Sequence, residues 1–453
     1  MNKIDTPKNI VSSSSLLKIA NRMLYNINKK IVVHNERTAF LVLSLAKNYN
    51  LNKKYSLQDL VILSLFHTIG FFREDIFVNY SPTDSVIDFF TNKKATNSKY
   101  TFGCYYLEFM TPLKKIALAI EYFTEPFNSD LKKYIYQEEC KSFIYFSARI
   151  SEYLDTHPDK DLPEDLNSIA PDYFDPEIVE VFNKVNKHNQ LVQKIRNGFY
   201  VKELSDYIDT IKFSEEDNSS LLKLLVYILD FKSTVTMQHS INTSCYALSL
   251  GTRYNLQDDE ISILYTSAIL HDVGKIAMSK DVLEYPGKLS MEDMQIMKTH
   301  VTYSKKILTN LVDEQIISNV SNHHEKLNGK GYPNNLKQNQ LNQMERILTI
   351  CDITSALTDS RSYKGEFSKD TVLKILKEMS LNKEIDSDIT QAVCAEYDQI
   401  LKERDELQNI LKVDFRTVIQ KYNEYLFSST FSLMQDIGSE ENAESIEELA
   451  EEI

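Results

Sequence analysis

The chain has 453 residues, with 51 Lys and Arg against 65 Asp and Glu, a formal charge of −14, and 42% apolar against 26% charged residues. That length holds two or three domains with cores of their own, and the composition is that of a globular protein. No apolar run reaches the ~18 residues of a membrane span, no basic surplus suits general nucleic-acid binding, and five scattered cysteines without a C-x-x-C pair exclude a disulfide framework or zinc ribbon. The N-terminus lacks the apolar stretch of a secretory leader, so a reducing cytoplasm is expected. Eight of the acids fall in residues 436–453, which carry no base, so the remainder is at about −6 and leaves room for a local basic pocket.

In chain order, the first informative element is 41–51, LVLSLAKNYNL, which is answered by 246–256, YALSLGTRYNL. From Leu43 and Leu248 onward, six of nine residues are identical at an offset of 205. His34 precedes the first copy and His239 the second, and LSLFHTIGFF (62–71) answers SAILHDVGKI (267–276), setting His67 against His271. A repeat of domain length points to duplication, each copy being one folding unit. The stretch 156–172 is rich in Pro and Asp and reads as a loop, and the polar pattern around 185–215 reads as the link between halves. Further on, Leu248, Leu250, Ile261, Leu264, Ala268 and Ile269 recur at helical spacing. Ser290 to Asp293 opens a helix as a capping box, with Met291, Met294 and Met297 expected on its buried stripe. Residues 399–430 read as a long charged helix, followed by a weakly ordered acidic end. With Gly and Pro at ten each, an all-α fold is predicted.

Five of the nine histidines lie between 239 and 324, beside acids that suit a metal site. His271-Asp272 stands at a helix end and is followed by Gly274-Lys275. His300, His323-His324-Glu325 and Asp352 come after. Imidazole nitrogen with carboxylate oxygen is the donor set of borderline divalent metals. An Asp directly after a His can bridge two ions, and two ions about 3.5–4 Å apart can share a hydroxide and clamp a phosphoryl oxygen. A lone helical histidine is more often packed or solvated than a ligand. The ordered set of His-Asp, His300, His-His-Glu and Asp352 is what favours a site. Lys275, three residues after the bridging acid, is placed to meet a phosphate.

These residues resemble the HD-GYP family of HD metal-dependent phosphohydrolases. The resemblance is carried by His239-Ser240, His271-Asp272-Val-Gly274-Lys275, Pro286-Gly287-Lys288-Leu289, His300, His323-His324-Glu325 through Asn328-Gly329-Lys-Gly331-Tyr332-Pro333, Arg346 to Asp352, and Arg361-Ser-Tyr363-Lys364. It implies two tandem HD-type helical bundles: a degenerate copy at 8–190, a link at 191–214, a catalytic domain at 215–400, a C-terminal helix at 401–430 and an acidic tail at 431–453. It further implies hydrolysis of cyclic di-GMP to pGpG or GMP by a metal-bound hydroxide. His239, His271, Asp272, His300, His323, His324 and Asp352 would hold two divalent transition-metal ions, Fe or Mn first. Asp272 and Lys275 would be catalytic, Lys275, Arg361 and Lys364 would bind phosphate, and Gly329, Gly331, Tyr332 and Pro333 would shape the loop beside the site.

Three departures stand out. Asn328 replaces the Asp of D-G-x-G-Y-P, Ser355 stands where a second acid follows Asp352 by three residues, and Val235 stands where three-metal members carry Glu. A two-metal site is therefore expected. In the first half, His67-Thr68-Ile69-Gly70-Phe71 replaces HDxGK. At an offset of 204, Ala119-Ile120-Glu121 and Ala148 fall against His323-His324-Glu325 and Asp352. No metal chemistry is expected there, and the half reads best as a packing partner. Pairing between the two halves, or of two chains as a homodimer, stays open. The alternatives are a weakly active or inactive cyclic-dinucleotide-binding scaffold, and an HD phosphohydrolase acting on another nucleotide such as cyclic GMP-AMP.

Overall fold

Helical spacing folds as helix throughout. The computed structural model describes residues 7–48, 56–73, 93–121, 123, 127, 136–169, 173–359, 367–411 and 416–425. Among these the only β feature is an isolated antiparallel bridge between Asn328 and Lys337. The helices are α1 (Ser13–Ile27), α2 (Lys29–Ala46), α3 (Leu57–Phe66), α4 (Lys93–Met110), α5 (Tyr136–Thr156), α6 (Pro176–Asn189), α7 (Leu191–Arg196), α8 (Tyr200–Ile208), α9 (Glu215–Leu229) and α10 (Thr234–Arg253). They continue with α11 (Asp258–Leu270), α12 (Lys280–Leu283), α13 (Met291–Lys298), α14 (His300–Leu308), α15 (Glu314–Asn322), α16 (Gln343–Thr358), α17 (Lys369–Leu381), α18 (Ser387–Ala395) and α19 (Tyr397–Leu411). Short polar residues start many of them: Ser12, Asn28, Ser214, Ser233 and Asn342 each accept a first-turn N–H that would otherwise lack a partner. No helix of the described residues is long and apolar enough to cross a membrane.

The repeat is visible in the packing. Helix α2 lies on α3 and α5, and α10 lies on α11 and α16. A 3-10 turn follows in each copy, Ile69–Phe72 against α4 and Val273–Ala277 against α14. Gly70 and Gly274 make these contacts possible. A Cβ on Gly70 would stand 2.0 Å from Lys99 O, and one on Gly274 would stand 2.0 Å from His300 O. Lys99 thus occupies the place of His300.

One apolar core runs from Val11 to Tyr422 through both halves, and a second gathers Tyr246, Leu250, Ile347, Leu348, Val372, Leu376 and Ile389. Helix α1 of the first half lies against α9, α14 and the 3-10 turn Val273–Ala277. There Arg22 Nη1 donates to Ile307 O at 2.7 Å and Thr309 O at 2.9 Å, closing the C-terminus of α14. The segment expected as a polar link contains α7 and α8, with Leu191, Ile195, Tyr200 and Leu204 in the core. Residues 157–165 are irregular, as the Pro and Asp content predicts. The charged helix expected over 399–430 contains α19 and a helical segment at 416–425. The residues between and after these, including the acidic tail, lie outside the described residues.

Helix α13 corrects one expectation. Ser290 Oγ accepts from Asp293 N–H as the cap requires, but Met291 is 88% exposed and Met294 40% exposed, and no residue of the helix is buried. Its methionine side turns toward a cavity, lined by Met294 and Met297, and not toward a core.

Candidate metal centre

Five short stretches bring the predicted donors together. His239 projects from the second turn of α10, and His271 and His323 close α11 and α15 as their C-terminal caps. His300 opens α14 and Asp352 sits within α16. Because three of these histidines stand at helix ends, free backbone carbonyls are at hand. His271 Nδ1 donates to Ala268 O at 2.7 Å, His300 Nδ1 to Met297 O at 2.6 Å and His323 Nδ1 to Val320 O at 2.7 Å. Each ring is thereby fixed with Nε2 pointing inward.

Asp272 lies in the middle. Its Oδ2 is 2.6 Å from Lys275 Nζ, 3.1 Å from His271 Nε2 and 3.8 Å from His239 Nε2, and its Oδ1 is 3.3 Å from His300 Nε2. Asp352 Oδ1 is 2.8 Å from His239 Nε2, and its Oδ2 is 3.4 Å from His324 Nδ1. Two donor groups, His300-His323-His324 and His239-His271-Asp272, each keep their ligand atoms within 4.8 Å of one another. His239, His300, His323, His324 and Asp352 line one wall of a cavity of about 650 Å³, with His271 and Asp272 buried outside its lining, and its other walls include Val235, Lys275, Met294, Met297 and Tyr332. That volume suits a small-molecule ligand.

The electrostatics fit cations. Burial lowers the pKa of His300 to about 3 and of His324 to about 4, and drives His323 well below its usual value, so all three are neutral ligands at pH 7. Burial would raise the pKa of Asp272 and Asp352. Neighbouring charge overrides it, chiefly His271 and Lys275 for the first and the hydrogen bond from His239 for the second, and both fall below the carboxylate range. For His239 burial opposes protonation, but hydrogen bonds to Asp352 and Asp359 win and push it up to about 9. Most telling are His300 Nε2 and His323 Nε2, which face each other at 3.4 Å while both Nδ1 atoms are committed as donors. Two lone pairs held this close call for a cation between them. Buried His271 Nε2 and Asp272 Oδ1 also lack a hydrogen bond of acceptable geometry. The residues present fit divalent ions.

The loop after His324 is built on Glu325, whose carboxylate accepts Asn334 N–H at 2.6 Å and Leu336 N–H at 2.9 Å. Gly331 passes so close that a Cβ there would stand 2.4 Å from Glu325 Cα, and Gly329 has φ +76°. This folds Tyr332, joined to Pro333 by a cis bond, over His324 with ring centres 4.7 Å apart, and Lys298 Nζ lies 5.1 Å from the Tyr332 ring centre. Asn328 does not line the cavity. Its side chain closes the turn, accepting from Lys330 N and donating to Asn382 O. Arg361 and Lys364 lie outside the described residues. Glu325, the acid of the His-His-Glu element, thus serves the loop, and Asp359 was not singled out from sequence. Asp359 is one helical turn beyond Ser355, a spacing that could have drawn attention to it.

In the first half His34 and His67 keep the geometry of His239 and His271, with ring centres 5.4 Å apart in both pairs. Ser151 Oγ reaches His34 O at 3.4 Å as Ser355 Oγ reaches His239 O at 3.3 Å, so the offset of 204 holds and Ala148 takes the place of Asp352. Against His67, however, packs Phe123 at 5.5 Å, where His323 packs on His271 at 5.0 Å. Among the described residues the metal-type clusters all lie in the second half.

Comparison with known proteins agrees with this geometry. The HD-domain family matches residues 223–389. The match places an HD domain within the second half of the chain. A 3'3'-cGAMP-specific phosphodiesterase of Vibrio cholerae is 29% identical over 231 residues, 49% of either chain. A cyclic di-GMP phosphodiesterase of Pseudomonas aeruginosa is 29% identical over 162 residues, 35% of this chain and 39% of that one. The chain thus spans about half the length, or less, of the curated relatives it matches. The crystal structure of a cyclic GMP-AMP specific phosphodiesterase of V. cholerae covers 86% of this chain and 98% of its own at a TM-score of 0.54 and 19% identity. This likeness of fold extends beyond the HD domain into the first half.

Proposed function

We propose that the second half of the chain is a metal-dependent phosphodiesterase that opens a cyclic dinucleotide. The observation that carries this reading is the facing pair of imidazole lone pairs at His300 and His323, beside Asp272 and Asp352, in a ligand-sized cavity. His239, His271, Asp272, His300, His323, His324 and Asp352 would hold two divalent transition-metal ions, Fe or Mn. Val235 on the cavity wall offers no third acidic ligand. When bound, such ions supply Lewis acidity that activates water and polarises a phosphoryl oxygen.

The chain's own residues supply the rest. Lys275 Nζ, now on Asp272, stands beside the space a non-bridging phosphate oxygen would enter and offsets its charge. Arg361 and Lys364 add phosphate-binding charge on the strength of the family resemblance. Tyr332, Met294 and Met297 form an apolar and aromatic wall for a base. Oxygen from water bonds to phosphorus, the bond to the 3′ oxygen breaks, and that oxygen leaves as a hydroxyl. One cut gives a linear dinucleotide and a second gives mononucleotides. On this reading residues 215–400 are the catalytic unit, and residues 8–190 are a copy without metal that packs behind it.

Cyclic di-GMP is the substrate implied by the family resemblance, with pGpG or GMP as product. The relatives named for 3'3'-cGAMP favour a second reading in which one guanine is replaced by adenine. The test is anaerobic purification of the full chain with Mn or Fe, followed by assay of both cyclic dinucleotides beside Asp272→Ala. Turnover of either substrate that vanishes in the variant supports the enzyme. Bound metal with no turnover of either overturns the substrate class, and a chain that binds no metal leaves the binding-scaffold reading in its place.

A further inference from the structure

We infer that Asp359 is the positioning residue for His239, and that it supplies the carboxylate that position 355 lacks. The inference rests on the metal-centre reading above.

His271, His300 and His323 fix their rings on backbone carbonyls three residues earlier, which they can do because they stand at helix ends. His239 cannot. It lies inside α10, where the carbonyl of residue 236 belongs to the helical ladder, so its Nδ1–H needs a side-chain acceptor. Asp359, the C-terminal cap of α16, provides it: Oδ2 accepts from His239 Nδ1 at 3.2 Å. This bond orients the ring so that Nε2 faces Asp352 and Asp272.

The carboxylate is itself held. Ser355 Oγ donates to Oδ2 at 2.9 Å, Asn242 Nδ2 donates to Oδ1, and the backbone N–H of Asp359 reaches Ser355 O at 2.9 Å. Its side chain is 5% exposed. Ser355 therefore serves as a strut for an acid one turn further along the helix. The first half offers a contrast at the same offsets. Asp155 stands where Asp359 stands, and Arg37 where Asn242 stands, and these two form an ion pair. In the second half the short neutral amide of Asn242 occupies one carboxylate oxygen and leaves the other for the imidazole.

The experiment measures Mn affinity of the full chain by equilibrium dialysis with metal analysis, alongside circular dichroism of the metal-free protein. Asp359→Asn keeps the shape and removes the charge, and a 10- to 100-fold weakening of Mn binding is expected with the helical signal intact. A merely structural role is separated by relocation. Ser355 Oγ lies 2.9 Å from the oxygen that serves His239, so Ser355→Asp combined with Asp359→Ala places a carboxylate in the same reach and should recover most of the affinity that Asp359→Ala loses. Wild-type affinity in Asp359→Asn, or no recovery in the relocated variant, overturns the inference while leaving the metal centre standing. A wild-type chain that binds no Mn overturns both.

Discussion

Gly274→Ala tests whether the close approach between the His271–Lys275 segment and α14 sets the geometry of the centre. The added Cβ would stand 2.0 Å from His300 O, 2.4 Å from Ser304 N and 2.7 Å from Ser304 Oγ. Ordinary contact begins near 3.4 Å, so the two backbones must part by about 1.4 Å. They are also tied here, since Gly274 N–H donates to Ser304 Oγ at 2.8 Å and Ser304 Oγ donates to His271 O at 2.9 Å. Overpacking costs about 1–3 kcal/mol where side chains can give way. Here backbone must move, so about 3 kcal/mol is expected. Metal–ligand distances tolerate only about 0.2 Å, so separating Asp272 from His300 by even part of that shift should weaken Mn binding at least tenfold and turnover about 100-fold. Gly70→Ala is the matched control: its Cβ meets Lys99 O at the same 2.0 Å in the half without donors. Both variants should unfold at lower temperature, and Gly274→Ala alone should lose metal affinity. The reasoning is refuted if Gly274→Ala binds Mn as wild type does, or if Gly70→Ala weakens binding equally.

Glu325→Gln replaces a buried carboxylate that accepts two loop N–H groups, each such bond being worth about 1.5–3 kcal/mol. KM for the cyclic dinucleotide should rise while metal content stays constant, and an unchanged KM would show that the Tyr332 loop does not shape the binding wall. Arg22→Ala leaves the carbonyls of Ile307 and Thr309 without their donor, and should cost about 1–2 kcal/mol, read as faster hydrogen exchange over α14. His67 has its pKa lowered from 6.5 to about 4 by burial. The unfolded chain therefore binds the extra proton first, and stability falls as pH drops from 6.5 toward 4, by about 3 kcal/mol in all. Chemical denaturation of metal-free His67→Leu across that window should show a shallower pH dependence by one proton, and an equal slope would rule out His67 as the titrating group.

The donors were legible in the sequence because metal chemistry restricts residue type so strongly: few structural roles place His271-Asp272, His300, His323-His324 and Asp352 in one order. The repeat was legible for a related reason. Inside continuous helices a constant offset keeps register, which is how Ala148 and Ser151 fall on Asp352 and Ser355 in space. Beyond the helices, the ring that packs on His67 is Phe123, where His323 packs on His271. Periodicity also finds a face without saying what it faces. The stripe of Met291, Met294 and Met297 satisfies the helical pattern, yet it borders a cavity and solvent. Asp359 was missed for another reason: a lone acid at a helix C-terminus reads as a solvated charge, and beyond its spacing from Ser355 only the interior position of His239 creates the need for it.

The first half keeps two buried histidines where the second half holds a full donor set. The pair His34 and His67 is buried in the half that lacks the other donors, with Thr68 standing against Asp272 and Ala148 against Asp352. A neutral imidazole can be buried at moderate cost by remaining unprotonated, as the lowered pKa values of His34 and His67 show. A buried carboxylate without its counter-ion costs several kcal/mol unless burial raises its pKa far enough for it to take up a proton. His34 and His67 therefore pack as small aromatic residues, while Lys99 stands in the place of His300 and Phe123 packs where His323 does. The vacated volume is filled to match: Phe123 lies against His67, and Lys99, in the place of His300, lays its Nζ 5.3 Å from the Phe71 ring centre. Thr68 donates to Asn35 and is satisfied inside the core. The result is a copy whose shape survives for packing against α9 and α14, and whose interior has exchanged charge for contact.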